Sequence, residues 1–209
     1  AVTGVTESRN GTNWTEGADL NTARSTGGGA GDTNTAALIY GGLEPSSSAK
    51  TELWNGTSWS EDGDLNSTVS GQGEFGSSTS ALSFGGTQPP VTAQAEVFAG
   101  AGTPIGAWST VNSMNTARAG AGAGIYTAAL AFGGSDGSGE VGNTESYDGT
   151  NWTELNDMNT GRALLAGIGT STSALAFGGN PLPNGARTEL WNGSNWTEVN
   201  DLNQARYGV

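Results

Sequence analysis

The sequence predicts an all-β fold assembled from repeated four-stranded antiparallel sheets, and three observations carry that expectation. One phrase recurs along the chain: TESRNGTNWTEGAD from Thr6, TELWNGTSWSED from Thr51, TESYDGTNWTELND from Thr144 and TELWNGSNWTEVND from Thr188. A blurred copy, AEVFAGAGTPIGAWSTVNS, starts at Ala95. The glutamates of the phrase, Glu7, Glu52, Glu96, Glu145 and Glu189, are spaced by 45, 44, 49 and 44 residues, a period that points to radial or stacked repeats. Finally, no 3.6-residue apolar periodicity runs through any unit, whereas short apolar runs alternate with Gly, Ser, Thr and Asn, the punctuation of strands and turns.

Each unit holds four candidate strands. The first is a small-residue stretch, as in STGGGAG from Ser25, AGAGAG from Ala119 and LLAGIG from Leu164. The second is an apolar run closed by a glycine pair: TAALIYGG from Thr35, TSALSFGG from Thr79, TAALAFGG from Thr127 and TSALAFGG from Thr172. An unbroken apolar run fits a strand covered on both faces. TELW and its copies make the third strand. Asn55-Gly56, Asp148-Gly149 and Asn192-Gly193 then predict a tight hairpin, because both residues accept positive φ. The fourth strand starts at Trp14, Trp59, Trp108, Trp152 or Trp196, and a connection follows it: DLNTAR, DLNSTV, SMNTAR, DMNTGR or DLNQAR.

Apolar run, Gly-Gly, aromatic, tryptophan and arginine in this order resemble the Kelch repeat of β-propellers, and the resemblance covers essentially the whole chain. Its double glycines are Gly41-Gly42, Gly85-Gly86, Gly133-Gly134 and Gly178-Gly179. Its aromatics are Trp54, Phe98, Tyr147 and Trp191, and its arginines Arg24, Arg118, Arg162 and Arg206. The chain departs from the pattern at Arg9, which replaces the first aromatic, at Val69, which replaces an arginine, and in the longer third hairpin. The resemblance implies one domain over residues 1–209, a β-propeller of four-stranded antiparallel blades, with units at about 6–50, 51–94, 95–143, 144–187 and 188–209. Read in strand order, it gives five blades with one shared by the two termini, AVTGV from Ala1 serving as second strand and RYGV from Arg206 as first. Part of a six- or seven-bladed ring is the alternative. Near-identical units rich in Asn and Thr look like the Kelch-type arrays of phage and bacterial surface proteins. That likeness implies a virion or extracellular cell-surface location and membership of a larger surface assembly.

Composition narrows the chemistry. Twenty acidic residues face seven basic ones, a net charge of −13, and Lys50 is the sole lysine. Such a chain repels phosphate backbones and anionic membranes, so neither nucleic acid nor membrane insertion is expected. Histidine and cysteine are absent, which removes His-based acid–base work, the common nucleophile triads and nearly all zinc or copper sites. The carboxylates are periodic: Glu52, Glu96, Glu145 and Glu189 share one register, and Glu16, Glu61, Glu154 and Glu198 another. A catalytic pair should be singular, with two unlike environments, and no unique acid is expected at the axis. The expectation is therefore a protein that is not an enzyme, in which each strand-three glutamate pairs with an arginine of the NTAR string, in the same or the adjacent blade, and the tryptophans pack between blades. No cofactor is expected. Calcium is the one ion to weigh, since DLN, DMN and SDGSGE from Ser135 offer hard oxygens, against which stands ordinary Asx turn chemistry.

One segment differs in every unit: LEPSSSAK (43–50), TQPPVTAQ (87–94), SDGSGEVGN (135–143) and NPLPNGAR (180–187). Strand alternation sends all four to the end that also carries the DLNTAR connections. Variable loops on a rigid scaffold are where binding residues concentrate. The candidate contacts are Glu44, Lys50, Gln88, Gln94, Asp136, Glu140, Asn180, Asn184 and Arg187, on loops stiffened by Pro45, Pro89, Pro90, Pro181 and Pro183. The function expected is non-catalytic recognition of a glycan or protein. The alternative is a glycan-processing enzyme using carboxylates near a central pore.

Overall fold

Small-residue strands and apolar runs pair as the hairpin signals require. A computed structural model describes residues 2–100, 105–181 and 183–208. A two-stranded piece, β1 (Glu7–Arg9) and β2 (Trp14–Glu16), comes first. Four four-stranded antiparallel sheets follow, each in simple chain order. Sheet 1 holds β3 (Gly28–Thr33), β4 (Ala36–Tyr40), β5 (Thr51–Trp54) and β6 (Trp59–Glu61); sheet 2 holds β7 (Gly73–Ser77), β8 (Ser80–Phe84), β9 (Ala95–Ala99) and β10 (Ala107–Val111). Sheet 3 holds β11 (Ala119–Ile125), β12 (Ala128–Ser135), β13 (Thr144–Tyr147) and β14 (Trp152–Glu154); sheet 4 holds β15 (Ala166–Thr170), β16 (Ser173–Phe177), β17 (Thr188–Trp191) and β18 (Trp196–Val199). A single 3-10 turn, Asn184–Ala186, interrupts the all-β pattern of the described residues. Residues 101–104 of the long third hairpin lie outside them.

The hairpin turns differ from expectation. Trp54 faces Trp59, Tyr147 faces Trp152 and Trp191 faces Trp196, so the loops are four residues long. Only the glycine takes positive φ: Gly56 at 91°, Gly149 at 92° and Gly193 at 93°. The preceding Asn or Asp acts instead through its side chain. Asn55 Oδ1 accepts from the amides of Thr57 and Ser58, and Asn192 Oδ1 from those of Ser194 and Asn195. Asp148 does the same, and donation from Asn151, then Thr150, holds its carboxyl below the ordinary value.

Apolar burial lies between sheets rather than within them. First strands of successive sheets touch, β3 with β7, β7 with β11 and β11 with β15. Glycine permits that approach: a Cβ on Gly122 of β11 would come within 2.7 Å of Phe84 Cζ in the preceding sheet. Farther out, three of the fourth-strand tryptophans lean on the aromatic that closes the apolar run of the preceding sheet's second strand. Trp108 meets Tyr40 at 4.6 Å, Trp152 meets Phe84 at 5.5 Å and Trp196 meets Phe132 at 4.9 Å between ring centres. Three buried clusters result, one per sheet-to-sheet interface.

The first unit breaks this pattern. Bonds from Gly17 N to Thr6 O, Leu20 N to Gly4 O and Arg24 N to Thr3 O repeat those from Asp62 N to Thr51 O, Leu65 N to Ala49 O and Val69 N to Ser48 O. Residues 3–6 are thus the run-in to a third strand, and not the second strand expected of AVTGV. At the other end, Gly179 N binds Arg206 O as Gly86 N binds Arg118 O. Residues 206–208 form no strand, so the first strand expected of RYGV is likewise missing from the described residues. There β1 has no strand partner besides β2. Trp14 is 64% exposed and Trp59 half-buried.

Candidate functional site

The connection strings work as clamps that set the loop-bearing end. Asp64 Oδ1 accepts from Thr51 N and Asp157 Oδ1 from Thr144 N, tying each connection to its own sheet. The apolar residue that follows, Leu65, Met114 or Met158, is buried. The asparagine then reaches the next sheet: Asn115 donates to Glu145 Oε2 from its amide at 2.7 Å and from Nδ2 at 2.8 Å, and Asn159 treats Glu189 likewise. Arg24 lies on Glu52 at 2.6 Å, Arg118 on Glu145 at 2.5 Å and Arg162 on Glu189 at 3.1 Å, all fully buried. Each pair lies within one sheet. Arg24 Nη1 also donates to Gly41 O and Lys50 O, and Arg162 Nη1 to Gly178 O and Arg187 O. One guanidinium thus holds both ends of a variable loop. Glu96, opposite Val69, has its Oε2 held by the amide and Nδ2 of Asn66 instead. Arg206 is exposed.

The loop residues singled out from sequence are largely occupied with one another. Glu44 binds Ser48 and Lys50, whose Nζ also reaches Thr22 Oγ1. Gln88 Nε2 donates to Gln94 Oε1 at 2.6 Å. Asp136 Oδ1 takes the amides of Ser138 and Gly139, which holds its carboxyl pKa below the ordinary value. Asn180 Nδ2 reaches Glu140 Oε1 at 3.4 Å, joining two loops, and Arg187 binds Thr160 and Glu198. Asn184 N donates to Pro181 O, and Arg187 N closes the 3-10 turn onto Asn184 O. The residues left exposed at the tips are Pro45, Ser46, Pro89, Pro90, Gly137 to Glu140, Pro181 and Pro183. Among the described residues no three acidic side chains are placed to hold a metal.

Between the first strands lies a cavity of about 750 Å3, lined by β7, β11 and β15 with residues flanking β3. Leu43, Ser47, Thr87 and Pro89 of two variable loops also line it, so it opens among the loops. One carboxylate stands in its wall, correcting the expectation of no unique acid there. Strand pairing sets Glu74, opposite Ser83, at the register of Gly29 opposite Ile39, Gly122 opposite Ala131 and Gly167 opposite Ala176. Glu74 is thus the one side chain at a register otherwise reserved for glycine. Burial is the main force on it and pushes its pKa up to about 7, against a smaller opposing effect from the Gly29 amide. The Tyr40 phenol beside it is raised well above its ordinary value, by burial and then by Glu74. Comparing first strands through their pairing register, rather than through composition, is the sequence signal that finds Glu74.

This placement predicts a pH-dependent cost. Between about pH 4.5 and 7 the folded chain keeps a proton on Glu74 that the unfolded chain has released. Stability attributable to this group therefore falls as pH rises through that window, by on the order of 3 kcal/mol. Glu74→Gln should be more stable than the parent at pH 8 and little different at pH 4.5. Urea titrations at both pH values check this; a difference independent of pH would remove the desolvated carboxyl from the account.

No family model matches the chain, and no curated protein matches it.

Proposed function

We propose that the chain is a Kelch-type β-propeller of five radial sheets, the fifth represented by β1–β2, acting as a non-catalytic recognition module through its variable-loop end. One observation carries the reading. Four loops of unlike sequence emerge at one end, their own polar groups satisfied internally and their Pro-, Ser- and Gly-rich tips left exposed. Such tips keep a fixed shape and lose little conformational entropy on contact. The occupant proposed is a glycan or protein of a cell or particle surface, and the module's place a virion or extracellular surface assembly, which the cysteine-free, acidic composition suits. A glycan-processing enzyme is the second reading, favoured by Glu74 alone. Glycoside hydrolysis needs two carboxyl groups set across the bond, and Glu74 is the one carboxylate among the described residues lining the cavity.

Arrays of glycans and of cell-envelope preparations test the proposal, with a hydrolysis assay on the same sugars. Replacing residues 45–46, 89–90 and 137–139 by Gly-Ser should abolish array binding and leave the unfolding midpoint in place. Binding that survives all three replacements, or release of reducing sugar, would overturn it.

A further inference from the structure

Glu74 is a half-buried carboxylate, the one lining the cavity among the described residues. A carboxylate accepts about four hydrogen bonds, and the Gly29 amide faces this one, which leaves room for further donors. The facing elements bring no cation: β3 offers glycine, β4 the Tyr40 phenol, β8 the neutral Ser83, and β11 and β15 glycine and alanine. Of the cations that flank this wall in sequence, Arg24, Arg118 and Arg162 are committed to Glu52, Glu145 and Glu189, and Arg206 is exposed to solvent. The cavity volume lies in the range of small-molecule sites, and its wall is mainly apolar with a few hydroxyls.

We propose that this axial cavity binds a small organic ammonium, an apolar ring or chain bearing one cationic N–H head, with Glu74 as its counter-ion. The ammonium supplies further donors and the missing charge together, in a setting where charge-assisted bonds are strong. A neutral sugar supplies donors but leaves the charge uncompensated. A divalent metal needs six or more oxygens, and no second acid stands in the wall among the described residues. Glycine and alanine of β11 and β15 line the wall and leave the cavity its room. The site shares Pro89 with the loop tips but is read through Glu74, which is not a tip residue, so its failure leaves the recognition surface untouched.

Calorimetric titration with cyclohexylammonium at pH 8, with cyclohexanol as its neutral shape match, tests the site. Saturable 1:1 binding is expected, with cyclohexanol weaker by about tenfold or more. Glu74→Gln, shown folded by its urea midpoint, should lose about tenfold or more in affinity for the ammonium, while Glu61→Gln on the exposed face of β6 loses none. At pH 5, with Glu74 protonated, parental affinity should fall by a similar factor. No saturable binding up to about 10 mM, equal affinities for the ammonium and cyclohexanol, or an unchanged affinity in Glu74→Gln each overturn the proposal.

Discussion

Replacing Arg118 by methionine should lower the unfolding free energy by about 3–5 kcal/mol, the cost of breaking a buried ion pair by removing one partner. Arg118 is 1% exposed and Glu145 fully buried. The guanidinium bridges Glu145 Oε1, Thr116 O and Ala131 O. Its removal leaves two carbonyls short of a donor and a buried carboxylate held by the amides of Asn115 and Thr116 and by Asn115 Nδ2 alone. Glu145→Gln should be comparably harmful, since it strands the cation. The double variant should recover part of the loss, because neither charge is then left unpaired. Unit two supplies the control. Val69 stands there in the arginine register and Glu96 rests on Asn66, so Glu96→Gln should cost about 1 kcal/mol or less. Urea denaturation of the four variants gives the ordering. An Arg118→Met midpoint equal to the parent would remove the clamp as a source of stability.

Trp196→Ala should cost about 3–5 kcal/mol, whereas Trp14→Ala should fall within about 0.5 kcal/mol of the parent. The two residues share one register of the repeat and differ only in what lies against them. Trp196 is 5% exposed, packs on Phe132 and Trp191, and donates its indole N–H to Thr144 Oγ1 across the sheet boundary. Trp108 makes the matching bond to Thr51. In unit three the matching position is Ala95, and the Trp152 indole nitrogen is buried without a partner. At the boundary after sheet 4, Thr188 Oγ1 is buried and unpartnered while Trp14 stands in solvent. Thermal unfolding of both variants decides the matter. An equal cost at Trp14 would place its ring against sheet 4 in solution.

How far the letters go is clearest at the NTAR arginines and at Glu74. The pairing of strand-three glutamates with those arginines could be anticipated, because a charge recurring at a fixed place in every unit has to be neutralised inside it. Which glutamates lack that partner was also legible, from Val69. The role of the DLN strings was not. They read as solvated turns, since hydrogen bonds between asparagine and a glutamate 30 residues away leave no local trace. The ties among the loop side chains leave no trace in sequence for a related reason: Gln88 with Gln94, and Glu44 with Lys50, look free there and are joined in space.

Strand order, hairpin pairing and sheet content thus follow from the chain's own repetition, because apolar runs, turn residues and small-residue strands act over a few neighbours and the copies agree. Three things emerged only with the sheets set side by side: the burial of Glu74 beside Tyr40, the clamp across each boundary, and the difference between Trp14 and Trp196. Each is a property of the space between repeats, where burial and charge compensation depend on which neighbour arrives and at what register.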